Sequence, residues 1–317
     1  MNVAVSDRLA LSAVDEHILR TLLYFDIFQY PLNAHEVCHF LGVAVNQENV
    51  VHSRLLTLTE HNYIYRFEEF FGVRSDPAYV HRRVKGNAEA ERCMSLAQKQ
   101  ARRIARFPFV RGVLGSGSLS KGYMDEYADL DFFIITAPGR LWIARTLLVL
   151  YKRIFLGNSH KYFCVNYFVD ERHLEIEEQN LFTATELATA LPLQGANEYR
   201  RLQESNPWLL QFFPNFTPRS VRDVPDVRVD GLKKWMEAFL NLPVVSRLER
   251  HFQKITLNRW KTLYEKDYPD ADFAVAFKTK TYASKNHPRN YQRKVMESYA
   301  DKLKDFGLSP LRCNKAQ

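Results

Sequence analysis

Apolar residues recur at helical spacing over residues 13–26, where Val14, Ile18, Leu19, Leu22 and Leu23 fall on one side of the chain. Pro31 breaks the pattern. Asn33 followed three residues later by Glu36 predicts the N-cap and capping box of a second helix, which Gly42 stops. A third stripe, Val50, Val51, Leu55, Leu56 and Leu58, predicts a helix that Asn46 can cap. The aromatic run YIYRFEEFFGV, with its polar middle, reads as a two-stranded hairpin. Three helices and a hairpin over residues 1–84 resemble a winged helix-turn-helix module.

A polar helix is expected over 86–107, carrying Arg92, Lys99, Arg102, Arg103 and Arg106. The periodicity then changes. FVRGVLGSG (109–117), DLDFFIIT (129–136) and KYFCVNYFV (161–169) are strand-like, LEIEEQ (174–179) continues the third as a further strand, and helices are predicted over 140–156 and 183–191. Strands alternating with helices give residues 85–206 an α+β or α/β core with a mixed sheet. Pro214, Pro218 and Pro225 mark a connection, and the remainder of 207–317 reads mostly helical.

Composition alters this picture little. The 317 residues carry 44 Lys and Arg against 36 Asp and Glu, a net +8, which favours anionic partners without choosing among them. Cys38, Cys93, Cys164 and Cys313 lie far apart, so neither a disulfide framework nor a zinc ribbon is indicated. The N-terminus lacks a basic stretch followed by an apolar run, and Arg145, Lys152 and Arg153 interrupt the most apolar segment (141–156). The expectation is a cytoplasmic protein with reduced thiols and no membrane span. Trp142, Trp208, Trp235 and Trp260 are expected as core or interface anchors.

The chemistry concentrates in GSGSLSKGYMDEYADLDFF. Gly117-Ser118 is followed by ten residues and then by Asp129-Leu130-Asp131 at the head of an apolar strand. Carboxylates at i and i+2 of a strand share a face, and two of them suit Mg²⁺ (or Mn²⁺), which prefers hard oxygen ligands and substrate phosphates. A Gly-Ser turn opening a helix offers N–H groups and a hydroxyl to a phosphate chain, and Lys121 stands where it can meet phosphate charge.

This pattern resembles the polymerase-β nucleotidyltransferase superfamily, whose h-G-[GS], about ten residues, D-h-D-h signature the segment Leu114 to Ile135 matches. The flanking strand and helix order agrees over roughly 107–190. The resemblance implies transfer of a nucleoside monophosphate from an NTP to an acceptor hydroxyl, with Gly117 and Ser118 holding phosphates and Asp129 and Asp131 holding metals. It also implies a third carboxylate on a later strand. The mid-strand position expected for it is Asn166, an amide that cannot take up a hydroxyl proton well. Asp170, Glu175 and Glu177 remain candidates, with Asp170 preferred as the third catalytic residue. Loss of that group would leave a degenerate nucleotide-binding regulator.

Two other motifs compete. His35-Glu36-Val37-Cys38-His39 matches the zinc pattern H-E-x-x-H, yet its helix is short and Glu36 is already explained as a cap. The helix-three segment carries only Arg54 against Glu48 and Glu60, too few cations for a DNA-reading helix. Residues 278–294 hold six basic residues and no acidic one, with Tyr282 and Tyr291 interleaved, and are the stretch most suited to nucleic acid.

Overall fold

A computed structural model describes residues 10–159 and 161–309; residues 1–9 of the segment read for a leader, and Cys313, lie outside the described residues. Helix α1 (Ala13–Asp26) begins where Ser12 and Asp15 cap one another reciprocally. Its stripe Ile18, Leu19, Leu22 and Leu23 is buried. Strand β1 (Leu32–Asn33) leads into α2 (Ala34–His39), where Asn33 and Glu36 form the expected capping box. Helix α3 (Glu48–Glu60) starts differently: Gln47 takes the N-cap position without a side-chain bond, and Asn46 does not cap. Strands β2 (Tyr65–Phe67) and β3 (Phe70–Gly72) complete an antiparallel sheet of order β1-β3-β2.

Helix α4 (Ala78–Ala105) begins earlier than Gly86, where the sequence pattern places its start. Gly86 is instead a mid-helix residue. A Cβ there would lie 2.1 Å from the Tyr123 ring, so the glycine serves close packing rather than termination.

The central sheet is built from β4 (Val110–Ser116), β5 (Asp131–Thr136), β6 (Cys164–Asp170), β7 (Leu191–Gln194) and β8 (Ala283–Lys285), in the order β7-β4-β5-β6-β8. Only β5 and β6 are parallel, joined by α6 (Leu141–Phe155); α5 (Gly117–Ser120) follows β4. Along β5, Phe132 and Ile134 face one core layer with Trp142 and Ile104, while Phe133 and Ile135 face another with Tyr199 and Trp208. A strand buried on both sides reads as a continuous apolar run, which is why FFII was legible.

Three expectations fail here. Residues 174–179 form no strand; Leu174 and Ile176 alternate because an irregular segment turns both into the core. The helix expected over 183–191 ends at Thr189 (α7, Leu181–Thr189) and is followed directly by strand β7, whose Pro192 is tolerated on the sheet edge. Strand β8 lies in the stretch expected to be helical, so the sheet draws its fifth strand from beyond the 207 boundary.

Helices α8 (Ala196–Glu204), α9 (Leu209–Phe212), α10 (Gly231–Leu240), α11 (Pro243–Tyr264), α12 (Asp270–Ala276) and α13 (Tyr291–Asp305) complete the chain. Val295, Tyr299 and Leu303 of α13 enter the same apolar cluster as α1, and Lys302 pairs with Asp26. Trp142, Trp208 and Trp260 are buried, whereas Trp235 on α10 is exposed. Among the described residues no helix is long and apolar enough to cross a membrane.

Candidate active site

Because β4 and β5 are antiparallel, the end of one meets the start of the other, and Ser116 lies opposite Asp131. The ten residues between Ser118 and Asp129 therefore return the chain to where it left the sheet. Gly117 turns with φ +65°, and a Cβ there would stand 2.5 Å from Asp131 Oδ2. The position thus excludes side chains both by conformation and by contact. Leu130 is fully buried in the opposite core layer, so Asp129 and Asp131 share the other face, although Asp129 itself precedes the strand.

Ser116, Gly117, Ser118, Asp129, Asp131 and Asn166 line one cleft of about 640 Å³. Burial pushes the Asp131 carboxyl up to about 7, with the charges of Asp129 and Glu186 adding to it. Asp129 makes no hydrogen bond or ion pair within the described residues. Among those residues no three His, Cys, Asp or Glu side chains converge as a closed metal cage. Two carboxylates on one wall of an open cleft are nonetheless a donor set that fits Mg²⁺, whose coordination is then completed by phosphate oxygens and water.

Asn166 occupies the third place beside the pair. Its Nδ2 donates to Asp131 Oδ1 at 2.8 Å, and its Oδ1 accepts from the Cys164 thiol at 3.2 Å. The register slips at this point: Phe132 pairs with Val165 and Phe133 with Tyr167, so Asn166 is the extra residue of β6. Asp170 is not brought to the pair. It lies opposite Thr136, at the other end of the parallel strands from Asp131, and there accepts from the Arg172 N–H and pairs with His173 Nδ1 at 2.7 Å. Four residues of β6, at roughly 3.3 Å each, separate Asp170 from Asn166, too far along the strand for it to join the pair. Glu175 is exposed outside the cleft, and Glu177 is held by Lys278, Lys280 and Tyr282.

Lys121 does line the cleft, but its Nζ donates to Glu186 Oε1 at 2.7 Å and to the Gly117 carbonyl at 3.1 Å. Its charge is therefore compensated locally. Further polar residues reach the cleft from outside the Gly-Ser and Asp-x-Asp segment, among them Glu178, Glu186, Lys285, Asn286, His287 and Arg289. Only the basic run at 278–294 hinted at two of them. That run forms no single cationic face, since Lys278 binds Glu178, Lys280 binds Glu177 and Arg293 pairs with Asp272 and Glu297.

The H-E-x-x-H residues are used structurally. Glu36 caps α2 and binds Arg83, His35 pairs with Glu48, and His39 packs edge-on against Phe40 and Phe216. Burial holds the His39 imidazole down at about 4. Arg54, the lone cation of α3, is bound to Asp15.

Compared with known proteins, the chain matches no family model, no curated protein and no solved structure. The site is read from its own residues.

Proposed function

We propose that this cleft transfers a nucleoside monophosphate from a nucleoside triphosphate to an acceptor hydroxyl, with Mg²⁺ or Mn²⁺ held by Asp129 and Asp131. The observation that carries the reading is the Ser116–Asp131 pairing, which sets the Gly117-Ser118 turn against two carboxylates of one face. A bound cation would neutralise phosphate charge and favour attack on the α-phosphorus. The chain's own contributions are distinct. Gly117 lets the backbone approach the phosphate chain without a side chain in the way, and the Ser118 hydroxyl, which has no partner within the described residues, is available to a phosphate oxygen. Asn166 fixes the Asp131 carboxylate by its hydrogen bond.

In this reading the α1–β3 region, with its helix–strand–helix–helix–strand–strand order, is a winged-helix module that serves docking rather than duplex recognition. Its support is that Arg54 is internally paired and that Tyr30 Oη donates to the Lys121 carbonyl at 2.7 Å, tying the module to the Gly-Ser turn.

A second reading is favoured by one observation. An amide stands where a proton-accepting carboxylate would assist the attacking hydroxyl, which suits a nucleotide-binding regulator without turnover. One experiment separates the two: incubation with each NTP and Mg²⁺ or Mn²⁺, with and without cell extract as acceptor source, following pyrophosphate. Release by wild type that disappears in Asp129→Ala/Asp131→Ala is expected. Metal-dependent nucleotide binding without release would establish the regulator, and absence of both would overturn the two readings together.

A further inference from the structure

The side of the cleft where the sequence placed a phosphate-binding lysine has little positive charge to offer. Lys121 is neutralised by Glu186, a carboxylate lining the same cleft, and α5 spans only four residues, too few to sum a useful helix field. Across Asp129 and Asp131 the balance reverses. Lys285 is 5% exposed and lines the cleft, yet its Nζ donates to the neutral Gln292 Oε1 at 3.1 Å and pairs with no carboxylate within the described residues. Glu178 and Glu186, the carboxylates whose charges it senses, are bound to Lys278 at 2.5 Å and to Lys121 at 2.7 Å. Burying an ammonium without a counter-ion is costly, so a built-in lysine of this kind is suited to an anion supplied from outside. Arg289 lines the same cleft, where the Asp129 carboxylate favours its charged form, and within the described residues its guanidinium donates only to Tyr291 Oη. Lys285, on β8 two strands from β5, pairs with Tyr167, which stands opposite Phe133, so it lies two strands across and two residues along from Asp131, roughly 12 Å away by strand geometry.

We propose that Lys285 and Arg289 form a polyphosphate subsite, so that the β- and γ-phosphates of a nucleotide extend from the Asp129–Asp131 pair toward β8 rather than toward Lys121. The inference rests on the nucleotide reading above, and its ligand class is a linear polyphosphate.

The test is calorimetric titration of the full chain with inorganic tripolyphosphate in the presence of a chelator, so that no metal contributes. Wild type is expected to bind. Lys285→Met should weaken binding roughly tenfold and Lys285→Arg should recover most of it. Arg289→Gln, at an exposed position, should weaken it about threefold or more. Lys280→Met, which removes an exposed charge outside the cleft, should change affinity by less than about twofold. No binding by wild type, unchanged affinity in both Lys285→Met and Arg289→Gln, or an equal loss in Lys280→Met would each overturn the subsite. The same variants assayed for pyrophosphate release keep the two ideas apart. Tripolyphosphate affinity indifferent to Lys285, with Asp-dependent release intact, sinks the subsite and spares the transferase. Lys285-dependent binding with no NTP bound or consumed does the reverse.

Discussion

Gly117 is the residue on which the site turns, because its φ of +65° and its contact with Asp131 act together. Alanine at this position would carry a left-handed backbone penalty of about 1–2 kcal/mol and would also displace the Asp131 carboxylate. Gly117→Ala is therefore expected to lower thermal stability modestly while lowering nucleotide turnover or binding by roughly a hundredfold. A variant that folds less stably but retains full nucleotide affinity would show that the backbone approach is not needed. Asn166 illustrates the limit of reading single residues. Its position in the sequence marks it as the odd group of the set, but its pairing with Asp131 depends on the extra residue it introduces into β6. Nothing in a local pattern announces that slip.

Elements are joined here by charged side chains reaching across to the ends of their neighbours. The first turn of α6 has no side-chain cap of its own; Glu249 of α11 accepts from the Trp142 N–H at 2.6 Å and the Ile143 N–H at 2.9 Å instead. Burial raises the Glu249 carboxyl from 4.5 to about 7. A carboxyl raised on folding binds its proton more tightly in the native state, so its contribution is complete below about 4.5 and is lost as pH rises through about 7. Wild type should accordingly lose roughly 1–3 kcal/mol relative to Glu249→Gln between those limits and no more above them. Urea denaturation of both proteins at several pH values measures this, and a pH-independent difference would refute it. Such a cap was invisible beforehand because its two halves are separated by 107 residues. The capping boxes at Ser12 and Asn33 are local by contrast, since each closes within three residues.

At the scale of the molecule, the C-terminal region closes back on both earlier parts. Strand β8 extends the central sheet beside β6, and α13 inserts Val295, Tyr299 and Leu303 into the cluster built on α1. Leu303→Ala should cost about 2–4 kcal/mol, and amide exchange should show α1 losing protection together with α13. Loosening confined to α13 would mean that the two helices are not one cooperative unit. Trp235, expected as a core or interface anchor, lies outside the core on α10.

The features legible along the chain are those whose causes lie within a few residues. These include α1 to its ends, the Asn33–Glu36 box, the aromatic hairpin, the doubly buried β5 and the proximity of Asp129 and Asp131 on one face. Periodicity, capping and alternation operate over one or two turns of helix or a few strand residues, so they can be read directly. Tertiary structure alone decided the rest. It bound Lys121 to Glu186, 65 residues away, placed Asp170 at the far end of its strand, and brought Lys285 and Arg289 to the cleft from the C-terminal region. The reason is that a charge is useful to a ligand only where no neighbour has already neutralised it, and which neighbours a side chain acquires is settled by packing between distant segments.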